Sequence, residues 1–322
     1  MKLAPCRRRR GGYSLTMSGK ENQTNLREKT QDELSQEELS REELSREIGE
    51  VASLLHKAER VVVFSGAGVS KESGIDTFRD EGGLWEKFPP ERFATASGLS
   101  KTALKEPKAL AGFLREVLLP LALAAPNEAH NAIAELEKHC RVDVVTQNVD
   151  HLHQEAGSTR VHEIHGSLFQ VVNGAGRVLR ALKREDLVQM ADALKRLEKS
   201  RLFTLLRMIK TIRPLLGISG KGASANAIVH RPSIVLFGED MREPDWDRAQ
   251  KAAARAELMI MVGTSQSVWP AASLPDHTWE GGGKVIGVGP EEGEADHWLL
   301  GRAAAVLPKL VREATVKTNE AT

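Results

Sequence analysis

Polar residues that could do chemistry gather in two segments, each of which follows a short apolar run. The segment TQNVDHLH (146–153) places the amides Gln147 and Asn148 and the carboxylate Asp150 close together. Burying such groups side by side carries a desolvation cost unless they bind a ligand or one another. The segment HEIHGS (162–167) adds further histidines. These residue types favour acid–base chemistry with one histidine as the base, while zinc binding through the HxH and HxxH patterns is an alternative.

A glycine turn, SGAGVS (65–70), follows the first apolar run of the chain. Gly66 and Gly68 would let backbone amides approach a phosphate at the start of a helix. Lys71 occupies the position of the third glycine in the GxGxxG fingerprint, and no acidic residue ends a second strand about 20 residues later. These features argue against an ordinary dehydrogenase. A later turn is formed by Gly263, Thr264 and Ser265. These residues could hydrogen-bond a phosphate or a ribose, and the alternative is a turn that caps the start of a helix.

The elements that must position these segments alternate between strands and helices. Helical patterns cover 127–139, with Asn127 as N-cap, and 247–257, with Asp245 or Asp247 as N-cap. This order predicts an α/β fold with a doubly wound parallel sheet, in which ligands bind beyond the carboxyl ends of the strands. The strands are predicted at six apolar runs without alternation, which is typical of strands covered on both faces: 61–64, 142–145, 161–164, 234–237, 258–262 and 285–288.

Composition argues against several other classes of protein. The 322 residues include 45 Lys and Arg against 44 Asp and Glu, a balance that argues against nucleic-acid binding through a basic face. The two cysteines, Cys6 and Cys140, cannot form a disulfide framework or a four-cysteine zinc site. No apolar run reaches the roughly 18 residues of a membrane span. We therefore expect a cytoplasmic protein that does not act in the membrane, and the sequence leaves its oligomeric state open.

Residues 1–50 differ in composition from the rest of the chain. Four arginines (7–10) could form a targeting or nucleic-acid patch, although a solvated tail is the simpler interpretation. A five-residue unit then recurs, and its leucines wind around a helix instead of lining one face: Leu34, Leu39 and Leu44. We predict a disordered or marginally helical N-terminal extension.

In their order and spacing, the motifs of this chain resemble those of the sirtuins. The resemblance implies a Rossmann-like fold and an NAD-dependent protein-lysine deacylase, which consumes NAD as a cosubstrate, transfers the acyl group to ADP-ribose and releases nicotinamide. Each block alone is weak, whereas their combined order is specific. The blocks are GAGVSKESGIDTFRD (66–80), GLW (83–85), PNEAH (126–130), TQNVDHLHQEAG (146–157), HGS (165–167), FGED (237–240), GTSQSVWPAASLP (263–275) and VLPKL (306–310).

Two further functions stay open on the same fold. Sirtuin-like folds that lack zinc also serve NAD glycohydrolases and mono-ADP-ribosyltransferases. A non-catalytic module that binds NAD or ADP-ribose is the other alternative, and the joint presence of Asn148, Asp150 and His165 argues against it. For the deacylase, the implied partner is an acyl-lysine protein or peptide.

The resemblance also implies which residues contact NAD. The glycine turn (66–68) faces the pyrophosphate, the later turn (263–265) faces phosphate or ribose, and a mobile loop closes over the nicotinamide ribose. The segment 147–150 orients that ribose and, together with Ile75, holds the nicotinamide amide. The implied NAD-binding residues are Gly66, Ala67, Gly68, Ile75, Phe78, Arg79, Gln147, Asn148, Val149, Asp150, Gly263, Thr264 and Ser265.

The same resemblance implies the residues of the reaction and of the peptide site. His165 is the implied general base, and Asn148 is the second catalytic residue. Breaking the glycosidic bond builds positive charge on the ribose, which oriented amide dipoles stabilise, and a histidine suits the removal of a hydroxyl proton near neutral pH. Phe237, Gly238 and Glu239 border an extended peptide that adds as a strand.

One departure from the sirtuin pattern concerns zinc. Sirtuins usually carry two cysteine pairs between the HGS and FGE blocks, and this interval contains no cysteine here. Because this interval has no cysteine, we predict no bound zinc, and because residues 178–212 are helical in pattern, we predict a helical insertion instead of the zinc module. The glycine- and serine-rich segment 217–225 predicts a flexible loop. The predicted domains are an extension (1–50), a Rossmann-like domain (51–169 and 231–316), the helical insertion (170–230) and a tail (317–322).

Overall fold

The computed structural model describes residues 31–77, 82–199, 205–216 and 230–319, with side chains described outside 31–39 and 317–319. The chain forms two compact units, Met1–Arg41 and Glu42–Thr322. Apart from the first turns of one helix, every element described below belongs to the second unit. Several expectations concern residues outside the described ranges: the arginine cluster (7–10), Phe78, Arg79 and the 217–225 loop.

Helices separate the longer strands along the described chain. The strands are β1 (Arg60–Ser65), β2 (Arg141–Thr146), β3 (Val161–Glu163), β4 (Gln170–Val172), β5 (Val178–Ala181), β6 (Arg231–Pro232), β7 (Leu258–Val262), β8 (Lys284–Gly289) and β9 (His297–Leu300). The helices are α1 (Gln31–Lys57), α2 (Leu84–Lys87), α3 (Pro90–Phe93), α4 (Ala96–Lys105), α5 (Pro107–Leu123), α6 (Glu128–Leu136), α7 (Leu152–Ala156), α8 (Arg184–Glu198), α9 (Leu205–Leu215), α10 (Asp245–Ala253), α11 (Leu274–Glu280) and α12 (Ala303–Asn319). The described residues also form two 3-10 helices, Ala67–Ser73 and Ala271–Ser273.

A parallel sheet with the strand order β3-β2-β1-β7-β8-β9 forms the centre of the second unit. Alternate residues of β1 and β7 enter different cores, which explains why the runs 61–64 and 258–262 are apolar without alternation. In β1, Val61 and Val63 enter one core, and Val62 and Phe64 enter the other. Five of the six predicted runs coincide with β1, β2, β3, β7 and β8, so the predicted doubly wound parallel sheet is confirmed.

Helices cover both faces of this sheet. On one face, α6 and α12 pack with α1, which brings the buried residues Ile48 and Val51 to the core across the predicted boundary at residue 50. On the other face, α10 contributes Ala249 and Ala253, and α11 contributes Leu274. Asn127 caps α6 as expected, because its side-chain oxygen accepts a hydrogen bond from the Ala129 amide at 2.9 Å.

A separate apolar core lies around α5 and α8. Helix α5 packs on α8 through buried residues such as Leu110, Leu187 and Leu194, and the aromatic rings of Phe93 and Phe113 lie 4.9 Å apart within it. An antiparallel sheet in the order β5-β4-β6 borders this core. The predicted insertion therefore contains helices, as expected, but its core also uses residues from the 84–123 region.

Three details of the predicted elements are wrong. The run 234–237 is not a strand, because the Val235 amide donates to His165 O at 2.8 Å and only Phe237 forms a bridge, parallel to Thr95. The helical pattern predicted from residue 178 begins with β5, which pairs with β4. Helix α10 has Pro244 as its N-cap, so Asp245 lies in its first turn and does not cap it.

The predicted strands also miss β9, at the edge of the sheet. Its Trp298 ring lies against Gly287 of β8, where an added Cβ would come within 1.9 Å of the ring. Because this fit depends on a partner strand, the short sequence of β9 alone does not reveal it.

Within the described part of the chain, no single helix is long and apolar enough to cross a membrane. Only α5 and α6 taken together, which are bent by 60°, reach the required length and composition.

Candidate active site

The loops that follow β1, β2 and β7 meet at the carboxyl edge of the parallel sheet. The Gln147 amide after β2 donates to Ser65 O at 3.0 Å, and its side-chain Nε2 donates to Thr264 Oγ1 after β7 at 2.9 Å. The Gly68 amide donates to Gly263 O at 2.9 Å. These bonds join three of the predicted NAD-binding segments into one surface.

The glycines of these loops allow two backbones to touch. Gly263 has a φ of 60°, in the left-handed region that favours glycine, and a Cβ added there would lie 2.3 Å from the Val69 nitrogen. A Cβ at Gly68 would lie 2.7 Å from Gly263 Cα. The glycine turn therefore serves close packing against the β7 loop in addition to any contact with a phosphate. Ala67 lies beside it, at the start of the first 3-10 helix.

The Asn148 side chain is held in one orientation by its neighbours. Its Nδ2 lies 3.0 Å from Gly66 O and 3.1 Å from Ser70 Oγ. Because Gly66 O can only accept a hydrogen bond, the amide nitrogen must face it, and both amide hydrogens are engaged within the chain. The Oδ1 of Asn148 is then the atom that this side chain can offer to a ligand.

Asp150 is almost completely buried behind Asn148. Its Oδ2 accepts from Ser70 Oγ at 2.7 Å, and its Oδ1 accepts from the Leu152 amide at 3.0 Å. Burial raises the pKa of the Asp150 carboxyl, and the hydrogen bonds from Ser70 and Leu152 oppose this shift. Ser70 thus orients both of the predicted functional side chains, Asn148 and Asp150. A perturbed buried carboxyl in a loop cluster is typical of functional sites.

His165 follows β3 and contacts the same loops. Its Nδ1 lies 3.1 Å from Gln147 O. Since a carbonyl oxygen accepts and never donates, Nδ1 carries the proton, and Nε2 of the neutral ring keeps its lone pair as a base. Burial lowers the pKa of His165, partly offset by the hydrogen bond to Gln147. The neutral, basic form therefore persists below the pH at which an ordinary histidine becomes protonated.

The neighbouring histidines take separate partners. His151 lies 3.7 Å from Glu163 Oε1, and His162 lies 3.2 Å from Asp143 Oδ1, whereas His153 Nε2 lies 2.8 Å from Ser65 Oγ. Over the ranges that the structure describes, no group of three His, Cys, Asp or Glu residues is placed to hold a metal ion. The zinc alternative for these histidines therefore finds no support in the geometry.

Two of the buried histidines form an edge-to-face pair next to the site. The rings of His130 and His153 lie 4.9 Å apart in an edge-to-face arrangement, and both residues are fully buried. Burial lowers the pKa of His130 to about 4 and that of His153 to about 3. Both rings are therefore neutral in the folded protein near neutral pH.

This pair predicts a loss of stability in mild acid. A histidine with a lowered pKa in the folded state binds fewer protons there than in the unfolded chain. Burying it as a neutral ring therefore costs no free energy of unfolding above pH 6.5, and the free energy of unfolding falls as the pH drops below that value. Between pH 6.5 and pH 5 we expect a loss of roughly 2 kcal/mol per histidine in the free energy of unfolding. Urea unfolding at both pH values measures it.

The matched variants separate this effect from other titrations. His153→Gln should unfold with a smaller difference between the two pH values than the wild type does. His139→Ala, which removes an exposed histidine, should keep the full difference. Equal pH dependence in all three proteins would contradict the assignment.

The remaining predicted residues lie at the borders of this surface. Ile75 and Val149 are partly buried against the core around α5 and α8, and Ser265 is hydrogen-bonded to Ser267 at 2.7 Å.

The predicted peptide residues lie beside the strand-like contact with Thr95. Phe237 is 47% exposed, and its amide donates to Ala94 O at 2.9 Å. Gly238 has a φ of 88° and open space where a Cβ would lie. Glu239 instead accepts from the Leu236 amide and pairs with Arg231 at 2.8 Å. Its carboxylate thus stabilises this segment and is engaged within the chain.

Comparison with known proteins gives a consistent result. The sequence model described as the Sir2 family matches residues 66–270. A protein of Pyrococcus furiosus named NAD-dependent protein deacylase is 37% identical over 271 residues, which cover 83% of this chain and 97% of that protein. A protein of Mycobacterium tuberculosis with the same name is 37% identical over 257 residues, covering 78% of this chain and 96% of that protein.

Solved structures extend the similarity to the fold. A Sir2 homologue in complex with NAD is 30% identical, with a TM-score of 0.64 over 83% of this chain and 94% of that chain. Sir2Af2 bound to a myristoylated histone peptide is 29% identical, with a TM-score of 0.60 over 86% of this chain and 99% of that chain.

Proposed function

The chain belongs to the Sir2 family, and from this membership we propose that it is an NAD-dependent protein deacylase acting on acyl-lysine side chains of a protein or peptide. NAD is the cosubstrate, and it accepts the acyl group on its ADP-ribose part as nicotinamide leaves. One observation carries the proposal at the level of residues: Asn148, Asp150 and His165 lie on loops that hydrogen bonds join at the same edge of the sheet.

The residues of this edge fit a dinucleotide. Asn148 Oδ1 and the lone pair of His165 Nε2 supply acceptors for the hydroxyl and amide groups of the ligand. Asn148 is 9% exposed and Asp150 is 4% exposed, so water has little access to the polar groups behind the surface.

The chain contributes orientation, charge stabilisation and a base. The amide of Asn148 is fixed before the reaction by Gly66 and Ser70, so its negative oxygen can stabilise developing positive charge without reorganisation. The Nε2 of His165 can remove a proton from a sugar hydroxyl, and Gln147 O holds the ring in the required tautomer.

Space for a peptide is available beside Phe237 and Gly238. The Phe237 amide already donates to Ala94, which makes this segment strand-like, and the open side at Gly238 leaves room for another extended chain. The tilted rings of Trp85 and Phe237, 6.4 Å apart, add an apolar surface next to it. An acyl-lysine side chain would enter between this segment and the His165 loop.

An assay of products tests the proposal against its alternatives. The protein is incubated with NAD and a panel of acyl-lysine peptides, and the products are identified by mass spectrometry. Formation of O-acyl-ADP-ribose only when peptide is present supports deacylation. Free ADP-ribose without peptide indicates NAD hydrolysis, and ADP-ribose attached to protein indicates ADP-ribosyl transfer; either result alone would replace the proposal.

The lowered pKa of His165 predicts the pH dependence of deacylation. A general base must be neutral, so kcat/KM falls as the pH drops through its pKa. Because burial lowers this pKa, we expect the acid limb below pH 6.5. A pH–rate profile at saturating NAD measures it, and the profile of His162→Gln should keep the same limb. An acid limb centred above pH 6.5 would contradict the assignment.

A further inference from the structure

Arg184 begins α8, within the insertion that stands where sirtuins usually carry zinc, but its side chain contacts residues outside that insertion. Its guanidinium forms a forked pair with the Glu155 carboxylate, with Nε–Oε1 at 2.9 Å and Nη2–Oε2 at 2.8 Å. Nη2 also donates to Asp150 O at 3.3 Å, and Nη1 donates to Leu121 O. The side chain is 18% exposed, so these bonds are largely shielded from water.

The contacts of Arg184 enclose a strained turn. Between Asp150 and Glu155 the chain passes through His151, which has a φ of 65°. A residue with a Cβ adopts this left-handed conformation at an energetic cost and needs support from its surroundings. Arg184 binds the carbonyl before His151 and the carboxylate of α7 after it, so the same guanidinium fixes both ends of the turn.

An aromatic ring completes the clamp. The guanidinium lies over the ring of Phe169, with Cζ 5.2 Å from the ring centroid, and the rings of Phe169 and His151 lie 5.6 Å apart. The next carbonyl upstream, Val149 O, accepts from the Leu168 amide at 3.2 Å. The Val149 carbonyl is therefore bound by the chain just before the insertion, and the Asp150 carbonyl is bound by the insertion itself.

We infer that Arg184 is a positioning residue of the NAD site, through which the cysteine-free insertion holds the Asp150 turn in the shape needed for nicotinamide. The Asp150 carboxyl is bonded to Ser70 and Leu152 only while its backbone keeps the observed direction. In this inference Arg184 acts indirectly, through its hydrogen bond to Asp150 O. The inference rests on the proposed function, because it takes Asp150 as a contact of the nicotinamide amide.

A pair of arginines in the insertion allows a matched test. Among the described residues, Arg180 bonds to Leu215 O at 3.0 Å and to Asp186 Oδ1 at 2.9 Å, both within the insertion. Arg180→Ala therefore loosens the insertion without removing a bond to the Asp150 turn. For Arg184→Ala we expect exchange of labelled nicotinamide into NAD, in the presence of an acetyl-lysine peptide, to slow roughly 10- to 100-fold. Arg180→Ala should exchange at close to the wild-type rate.

Further readouts keep the outcome decisive. A purely structural role would lower the melting temperature in both variants and leave the KM for NAD unchanged, whereas positioning raises this KM in Arg184→Ala alone. Equal exchange rates and equal KM values in the two variants would overturn the inference. If the wild type shows neither exchange nor deacylation, the proposed function fails. Calorimetric binding of NAD then tests the inference separately. The inference stands if only Arg184→Ala binds NAD more weakly than the wild type, and it is wrong if Arg184→Ala and Arg180→Ala bind NAD equally.

Conservative variants cover the case in which Arg184→Ala does not fold. Glu155→Gln keeps the guanidinium bonds to Asp150 and Leu121 but removes the negative charge that Arg184 pairs with. Arg184→Lys keeps the charge without the fork, because a lysine ammonium cannot bind two partners in one plane. Both are expected to raise the KM for NAD less than the alanine variant does. A wild-type exchange rate and a wild-type KM for NAD in both variants would contradict the inference.

Discussion

Replacing His165 by alanine is expected to slow acyl transfer to ADP-ribose by a factor of roughly 100 to 10,000 while NAD still binds. The expected size follows from the loss of a base whose proton-accepting atom is fixed. His165 Nδ1 donates to Gln147 O at a nitrogen–oxygen distance of 3.1 Å, so Nε2 carries the free lone pair. The lowered pKa keeps Nε2 unprotonated near neutral pH. Single-turnover formation of O-acyl-ADP-ribose measures the loss, and calorimetry with NAD measures binding.

A second histidine of the same region provides the control. His162 lies on β3, and its Nε2 is 3.2 Å from Asp143 Oδ1, a partner outside the loop cluster of Asn148 and His165. His162→Gln should retain acyl transfer at temperatures where it is folded. An unchanged rate in His165→Ala would remove His165 from the mechanism, and a parallel loss of NAD binding would show that the side chain holds the loops together instead.

Most of the sheet and most of the site could be predicted because their signals are local in sequence. An apolar run without alternation reports that both faces of a strand are covered, and β1 shows why: Val62 and Val63 enter different cores. Parallel strands bring their carboxyl ends to one edge, so the loops containing Gly66 and Asn148 had to meet there. Their order along the chain then carried the resemblance to one family.

The parts that sequence reasoning missed depend on partners distant in the chain. The segment 234–237 is apolar, but its amide at Val235 is bound by His165 O and cannot enter a ladder. In the sequence Ser70 resembles any other turn residue. Only the structure shows that its hydroxyl donates a hydrogen bond to Asp150, 80 positions later. Arg184 reads as a solvated helix residue, and its bond to Asp150 O, 34 positions away, appears only in three dimensions.

Replacing Gly263 by alanine is expected to destabilise the protein and to weaken NAD binding together. The left-handed φ of 60° at Gly263 costs an alanine about 1–2 kcal/mol. The new Cβ would also lie 2.3 Å from the Val69 nitrogen and 2.6 Å from the Gly68 carbonyl carbon. These are backbone atoms that cannot rotate away, and the overpacking adds roughly 1–3 kcal/mol. Urea unfolding measures the sum.

The control for this variant separates backbone conformation from steric overlap. Gly282, between α11 and β8, has a φ of 82° and nothing within 4 Å of an added Cβ, so Gly282→Ala reports the cost of the conformation alone. Gly263→Ala should be less stable than Gly282→Ala and should bind NAD roughly 100-fold more weakly, because the glycine turn is displaced from the β7 loop. Equal stability and equal NAD affinity in the two variants would mean that the turn accommodates a side chain, and the close approach of these two backbones would then not be what shapes the NAD site.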